Sequence, residues 1–111
     1  MSGDGNSMSQ VTNLAFFRAQ RGQSEALGAA LAALVKPTRL EAGCLNYDLH
    51  RSVDDADVWF VYENWRSPEG FDAHMLSEHL QAFLKATPDL VAGDIDLRQF
   101  RMISIAATRC I

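Results

Sequence analysis

A chain of 111 residues with 48% apolar and 22% charged side chains has the make-up of an ordinary globular domain, long enough to bury a core without disulfides or a structural metal. Its formal net charge of −4, with no run of Lys or Arg, argues against nucleic acid or an anionic membrane as a partner. No apolar stretch reaches the roughly 18 residues that would span a bilayer.

Residues 1–9, MSGDGNSMS, have neither a positive region nor an apolar core and so do not read as a secretory signal. They read as a disordered leader ahead of a single domain over 10–111. Cys44 and Cys110 lie far apart in no metal-like spacing, and reduced thiols in a cytoplasmic protein are expected.

Residues 11–19, VTNLAFFRA, combine β-branched and aromatic side chains and predict a first strand. Ser24 is placed to cap a helix, in which Leu27, Ala30, Leu31, Leu34 and Val35 form one apolar stripe. Pro37 should kink that helix late, and Gly43 should end the segment. Residues 44–51, CLNYDLHR, alternate, sending Leu45, Tyr47 and Leu49 to one face and Cys44, Asn46, Asp48 and His50 to the other. After the polar turn SVDDAD, residues 58–65, VWFVYENW, return as the partner strand of a hairpin. Ser67-Pro68 is a strong helix start. Ser77 should cap a further short helix that carries Leu80, Phe83 and Leu84 and stops before Pro88. The stretch DIDLRQFRMISIA alternates and predicts a fourth strand.

The order β-α-β-β-α-β predicts an α+β, ferredoxin-like domain with its helices on one face of an antiparallel sheet. The third strand is apolar on both faces: Trp59, Val61 and Trp65 accompany Glu63 on one, and Val58, Phe60 and Tyr62 occupy the other. Helices cover only one face, so a second subunit packed face to face is the expected cover for the other.

Glu63 and Trp65 share the face expected to meet the helices, and His74 follows about two turns into the next helix. A carboxylate, an indole and an imidazole converging in a cleft could bind and deprotonate an aromatic hydroxyl. A purely structural account is open beside it, with Trp65 as a core anchor, Glu63 paired to an Arg and His74 packed in its helix. On a continuous helix His74 and His79 would project about 140° apart; a break at Ser77 could change that, but no Cys or third His completes a ligand set. A metal site is therefore not expected. No Gly-rich phosphate loop, GxSxG or Cys beside a His appears either.

Three linked motifs run through the middle of the chain. They are E-x-G-C-x-x-Y (Glu41, Gly43, Cys44, Tyr47), E-x-W-x-S (Glu63, Trp65, Ser67) and H-x4-H-x3-F (His74, His79, Phe83). With Gly22 at the first strand–helix turn, they make the chain from about Val11 to Met102 resemble the antibiotic biosynthesis monooxygenase (ABM) family, including its quinol-monooxygenase-like members. The resemblance implies a dimeric α+β barrel and oxidation of a quinol or polyphenol by O₂ without metal or flavin, the substrate anion supplying the electrons. It implies Trp65, His74 and Glu63 as catalytic residues, with Tyr47, His79, Asn13, Trp59, Val61 and Phe83 around the substrate. A flavin lent by a partner reductase is compatible with it. Val61 stands where anthrone-oxidising relatives carry Asn, and His74 stands where haem-degrading relatives carry Trp. An isomerase on the same pocket and a non-catalytic dimeric small-molecule-binding protein are the alternative readings.

Overall fold

The computed structural model describes residues 10–104. The leader, Cys110 and the far end of the expected fourth strand lie outside the described residues. Seven elements follow in order: β1 (Val11–Arg18), α1 (Ser24–Arg39), β2 (Cys44–Arg51), β3 (Val58–Trp65), α2 (Pro68–Met75), α3 (Glu78–Leu90) and β4 (Asp96–Phe100). The strands form one antiparallel sheet in the order β2-β3-β1-β4, the ferredoxin-like arrangement with its second helical layer split in two. No helix among the described residues is long and apolar enough to cross a membrane.

Strand alternation decides what the core contains. Asn13, Ala15 and Phe17 of β1 and Val61, Glu63 and Trp65 of β3 are buried on the face beneath the helices. Leu27, Leu31 and Leu34 of α1 close over them and pack toward β2 and α3. On the opposite face Phe16 stacks on Phe60 at 4.9 Å and His50 lies 5.3 Å from Phe60. There Asn64 donates to Asn46 at 2.9 Å and accepts from Thr12. No described helix covers that face.

Four local expectations are corrected. Ser24 is the first residue of α1 and not its cap; Gln23 holds that position with no side-chain bond. The Ser24 hydroxyl donates to Ala56 O at 2.6 Å and accepts from Trp59 Nε1 at 3.0 Å, tying α1 to the β2–β3 hairpin instead. α1 ends at Arg39, well before Gly43, where the Leu40 and Glu41 amides turn back onto Pro37 and Thr38 carbonyls. α3 runs through Pro88 to Leu90. Proline there removes a donor to the Leu84 carbonyl, and the Thr87 hydroxyl donates to that carbonyl at 2.7 Å. A bulge between Cys44 and Asn46 takes exposed Leu45 out of the ladder, so Cys44 and Tyr47 both reach the helix-covered face. Ser67 and Ser77 cap α2 and α3 as their sequence positions suggest, accepting from Gly70 N and Leu80 N.

One backbone contact sets the site's geometry. A Cβ on Gly43 would lie 2.8 Å from Gly70 Cα, so the turn entering β2 and the first turn of α2 touch with no side chain between them. Gly43→Ala should cost about 1–3 kcal/mol by overpacking, because neither backbone can swing aside as a side-chain tip would. A thermal melt checks it; an unchanged midpoint would show that the two segments separate freely.

Candidate active site

Beneath the helices lies a cavity of about 80 Å³. Phe17 of β1, Leu34 of α1, Phe71 of α2 and Leu80 and Phe83 of α3 give it apolar walls, and Ile95 and Leu97 flank it beside β4. Among its lining side chains only Tyr47, Glu63 and His74 carry hydrogen-bonding groups. Such a cavity, apolar with a few convergent polar atoms, suits a small aromatic molecule.

His74 sits at the end of α2, 2% exposed, with its ring 4.7 Å from the Trp65 indole and 5.7 Å from Tyr47. Its Nδ1 bonds to Glu41 Oε2 at 2.8 Å, and among the described residues the ring makes no other hydrogen bond. With the carboxylate as acceptor Nδ1 carries the proton, so Nε2 presents a lone pair. The same Glu41 oxygen bonds His79 Nε2 at 2.7 Å. The helical break at Leu76–Ser77 makes this possible. α2 ends and α3 restarts on its own cap, so the 140° separation of a continuous helix does not apply, and the geometric ground for dismissing these histidines as joint ligands falls with it.

Glu63 forms a second polar group. Its Oε1 accepts from Trp65 Nε1 at 2.7 Å and from Asn13 Nδ2 at 3.3 Å; no Arg among the described residues pairs with it. Burial raises its pKa, against the pull of those two donors and of nearby His74. Tyr47 is likewise pushed upward by burial and then by the Glu63 charge. Burial, with Glu41 beside it, pushes the Cys44 thiol up to about 11, so it is a packed thiol and a poor nucleophile.

The raised Glu63 carboxyl makes folding pH-dependent. The folded chain holds that proton above the ordinary 4.5, where the unfolded chain has released it. Folded protein then binds more protons, and stability falls as pH rises from that value through the raised one. Glu63→Gln should flatten this part of the profile. Melting temperatures of both proteins between about pH 4 and pH 8 check it, and parallel curves would refute it.

The expected residues divide by place. Tyr47, Glu63, His74 and Phe83 meet at the cavity. Asn13, Val61 and Trp65 stand behind its wall, none more than 1% exposed; Trp65 packs against the tilted His74 ring and has no free face for a ligand. Asn13 Oδ1 is buried without a partner among the described residues. His79 lies outside the cavity lining, on the far side of Glu41. Trp59 is not at the site. It shares a strand face with Trp65, but six residues of strand carry it about 20 Å away, where Arg51 stacks on its ring at 4.6 Å. Glu41 is the residue that reading by element missed. Its signal was the E-x-G-C motif, which places an acid two residues before the glycine that touches α2.

Comparison with known proteins places this arrangement. The family model described as antibiotic biosynthesis monooxygenase matches residues 10–86, which carry every polar group of the site. The chain belongs to that family. Among relatives of the family, Rv0793 of Mycobacterium tuberculosis, which bears a provisional monooxygenase name, is 38% identical over 71 residues, 64% of this chain and 69% of that protein. Its solved structure superposes with a TM-score of 0.84, covering 89% of this chain and all of that one (100%) at 29% identity. PA3566 of Pseudomonas aeruginosa matches with a TM-score of 0.83 and 33% identity over 86% of this chain and 96% of that chain. The chain also matches the uncharacterised Synechocystis protein sll1783, at 24% identity over 68 residues, and there spans only 46% of the relative's length.

Proposed function

We propose that the protein is a monooxygenase that oxidises a small quinol or phenol with O₂, drawing the electrons from the substrate anion. The observation that carries this is the orientation of His74. Glu41 holds its Nδ1, and the residue lines an otherwise apolar cavity, so Nε2 is left to accept a phenolic proton. A deprotonated phenol is electron-rich at its ring carbons. Carbon attack on O₂ forms a C–O bond and, with one proton, a hydroperoxide; loss of water leaves the quinone. One oxygen atom stays in the product and the other departs as water. The apolar walls keep bulk solvent from the intermediate. Buried Glu63, with its pKa raised, stands beside the cavity as a group able to hold a proton. Neither metal nor flavin is required by this sequence of steps.

The size of the cavity favours one ring lodged inside over a fused polycycle. Oxygen uptake measured with methylhydroquinone, a catechol and a larger, fused-ring anthrone tests the reading. Uptake with the smaller substrates supports it; binding seen as a thermal shift, with no uptake from any of the three, would replace the enzyme with a carrier.

The same reading takes the protein to be a homodimer. Phe16, Phe60 and Tyr62 lie on the sheet face that no described helix covers, and two such faces together would bury them.

A further inference from the structure

We propose that Glu41, His74 and His79 form a binding site for a divalent cation of the zinc class. Three separate segments deliver them: the turn before β2, the end of α2 and the first turn of α3. One ligand atom from each lies within 4.8 Å of the other two, and Glu41 Oε2 stands 2.8 Å from His74 Nδ1 and 2.7 Å from His79 Nε2. Two imidazoles and one carboxylate suit Zn²⁺ or Co²⁺, whereas Mg²⁺ and Ca²⁺ prefer an all-oxygen shell.

The fit needs only small movements. Ligand atoms around a tetrahedral zinc stand about 3.3 Å apart, so the carboxylate backs off by about half an ångström and the two nitrogens draw in. His74, its side chain 3% exposed and held against Trp65, is the fixed point. Glu41 and His79, with side chains 16% and 24% exposed, have room to adjust. Their exposure also gives the ion a way in and leaves a coordination position for water, as three-ligand zinc sites have.

The consequence for chemistry rests on the function proposed above. Without an ion, Nδ1 of His74 carries the proton and Nε2 is the acceptor. An ion bound at Nδ1 moves that proton to Nε2, turning the base into a donor. Metal binding is therefore an off switch for proton abstraction.

Calorimetric titration of the chelator-treated full chain with Zn²⁺, Co²⁺ and Mg²⁺ tests the site without any substrate. One Zn²⁺ or Co²⁺ per chain is expected, Co²⁺ with visible ligand-field bands, and no Mg²⁺. His79→Gln, which alters a ring outside the core, should weaken binding by more than about a hundredfold, since loss of an outer-shell partner alone costs ten- to a hundredfold. Glu41→Gln should do the same, and a Cys44→Ser, Cys110→Ser double variant should bind as the parent does. Absence of Zn²⁺ and Co²⁺ binding, binding that survives His79→Gln, or binding lost with the cysteines would each overturn the inference. Binding without oxygen uptake from any phenol would keep the site and remove only the switch. Uptake in a protein that binds no ion would leave the proposed function standing and sink this inference alone.

Discussion

His74→Ala should lower oxygen uptake with a phenolic substrate by about two to four powers of ten, the usual contribution of a positioned general base. The loss should appear in kcat, because the apolar walls that hold the ring remain. His74 is nearly fully buried between Trp65 and Tyr47, so the variant should also lose some stability, on the order of 1–3 kcal/mol. A circular-dichroism melt separates that loss from the catalytic one. Glu41→Gln offers an intermediate case. The amide can still touch Nδ1 but no longer favours the tautomer with its lone pair on Nε2, so its activity should lie between the parent and His74→Ala. A folded His74→Ala protein with undiminished uptake would remove the base from the mechanism and with it the central role given to this residue.

Phe60→Asp should abolish dimerisation. The side chain lies on the uncovered sheet face, stacked on Phe16 and next to His50, where the proposed partner would bury it. An unpaired carboxylate trapped there costs several kcal/mol, and about 5 kcal/mol is several thousandfold in a dissociation constant. Light scattering at micromolar concentration should show a dimer for the parent and a monomer, or insoluble material, for the variant. A monomeric parent would refute the face-to-face assembly directly. Tyr62→Asp should act in the same direction and more weakly, because Tyr62 is already partly exposed within one chain.

The order of elements could be read from the chain because its signals are local. Ser67-Pro68 and Ser77 mark two helix starts, and the alternation in residues 58–65 marks a strand whatever lies elsewhere. Errors arose where a tertiary partner outbid a local rule. Ser24 looks like a cap, but a tryptophan and a backbone carbonyl from the β2–β3 hairpin claim its hydroxyl. Pro88 looks like a stop, yet a neighbouring hydroxyl satisfies the carbonyl it leaves bare. The bulge at Leu45 shifts the phase of a strand by one residue, which no alternation count reveals. Glu63, Trp65 and His74 could be linked from strand and helix periodicity, whereas Tyr47 came only with the family resemblance. The Glu41 bridge could not, because it depends on a helix break and on two glycines that meet across the fold.

The short edge strand β4 has a kinetic consequence for the cavity it borders. All five of its residues are exposed, among the described residues it pairs with β1 alone, and its Leu97 lines the cavity with Ile95 just before it. An edge strand with so little buried surface opens at small free-energy cost, far below that of global unfolding. Fraying of β4 would uncover the cavity's flank while the Glu41–His74 pair, anchored toward the opposite, β2 edge of the sheet, keeps its alignment. Substrate and product would then exchange through the loosest part of the sheet with no dedicated lid. Amide hydrogen exchange should be fastest in β4, and a ligand filling the cavity should slow it there before anywhere else.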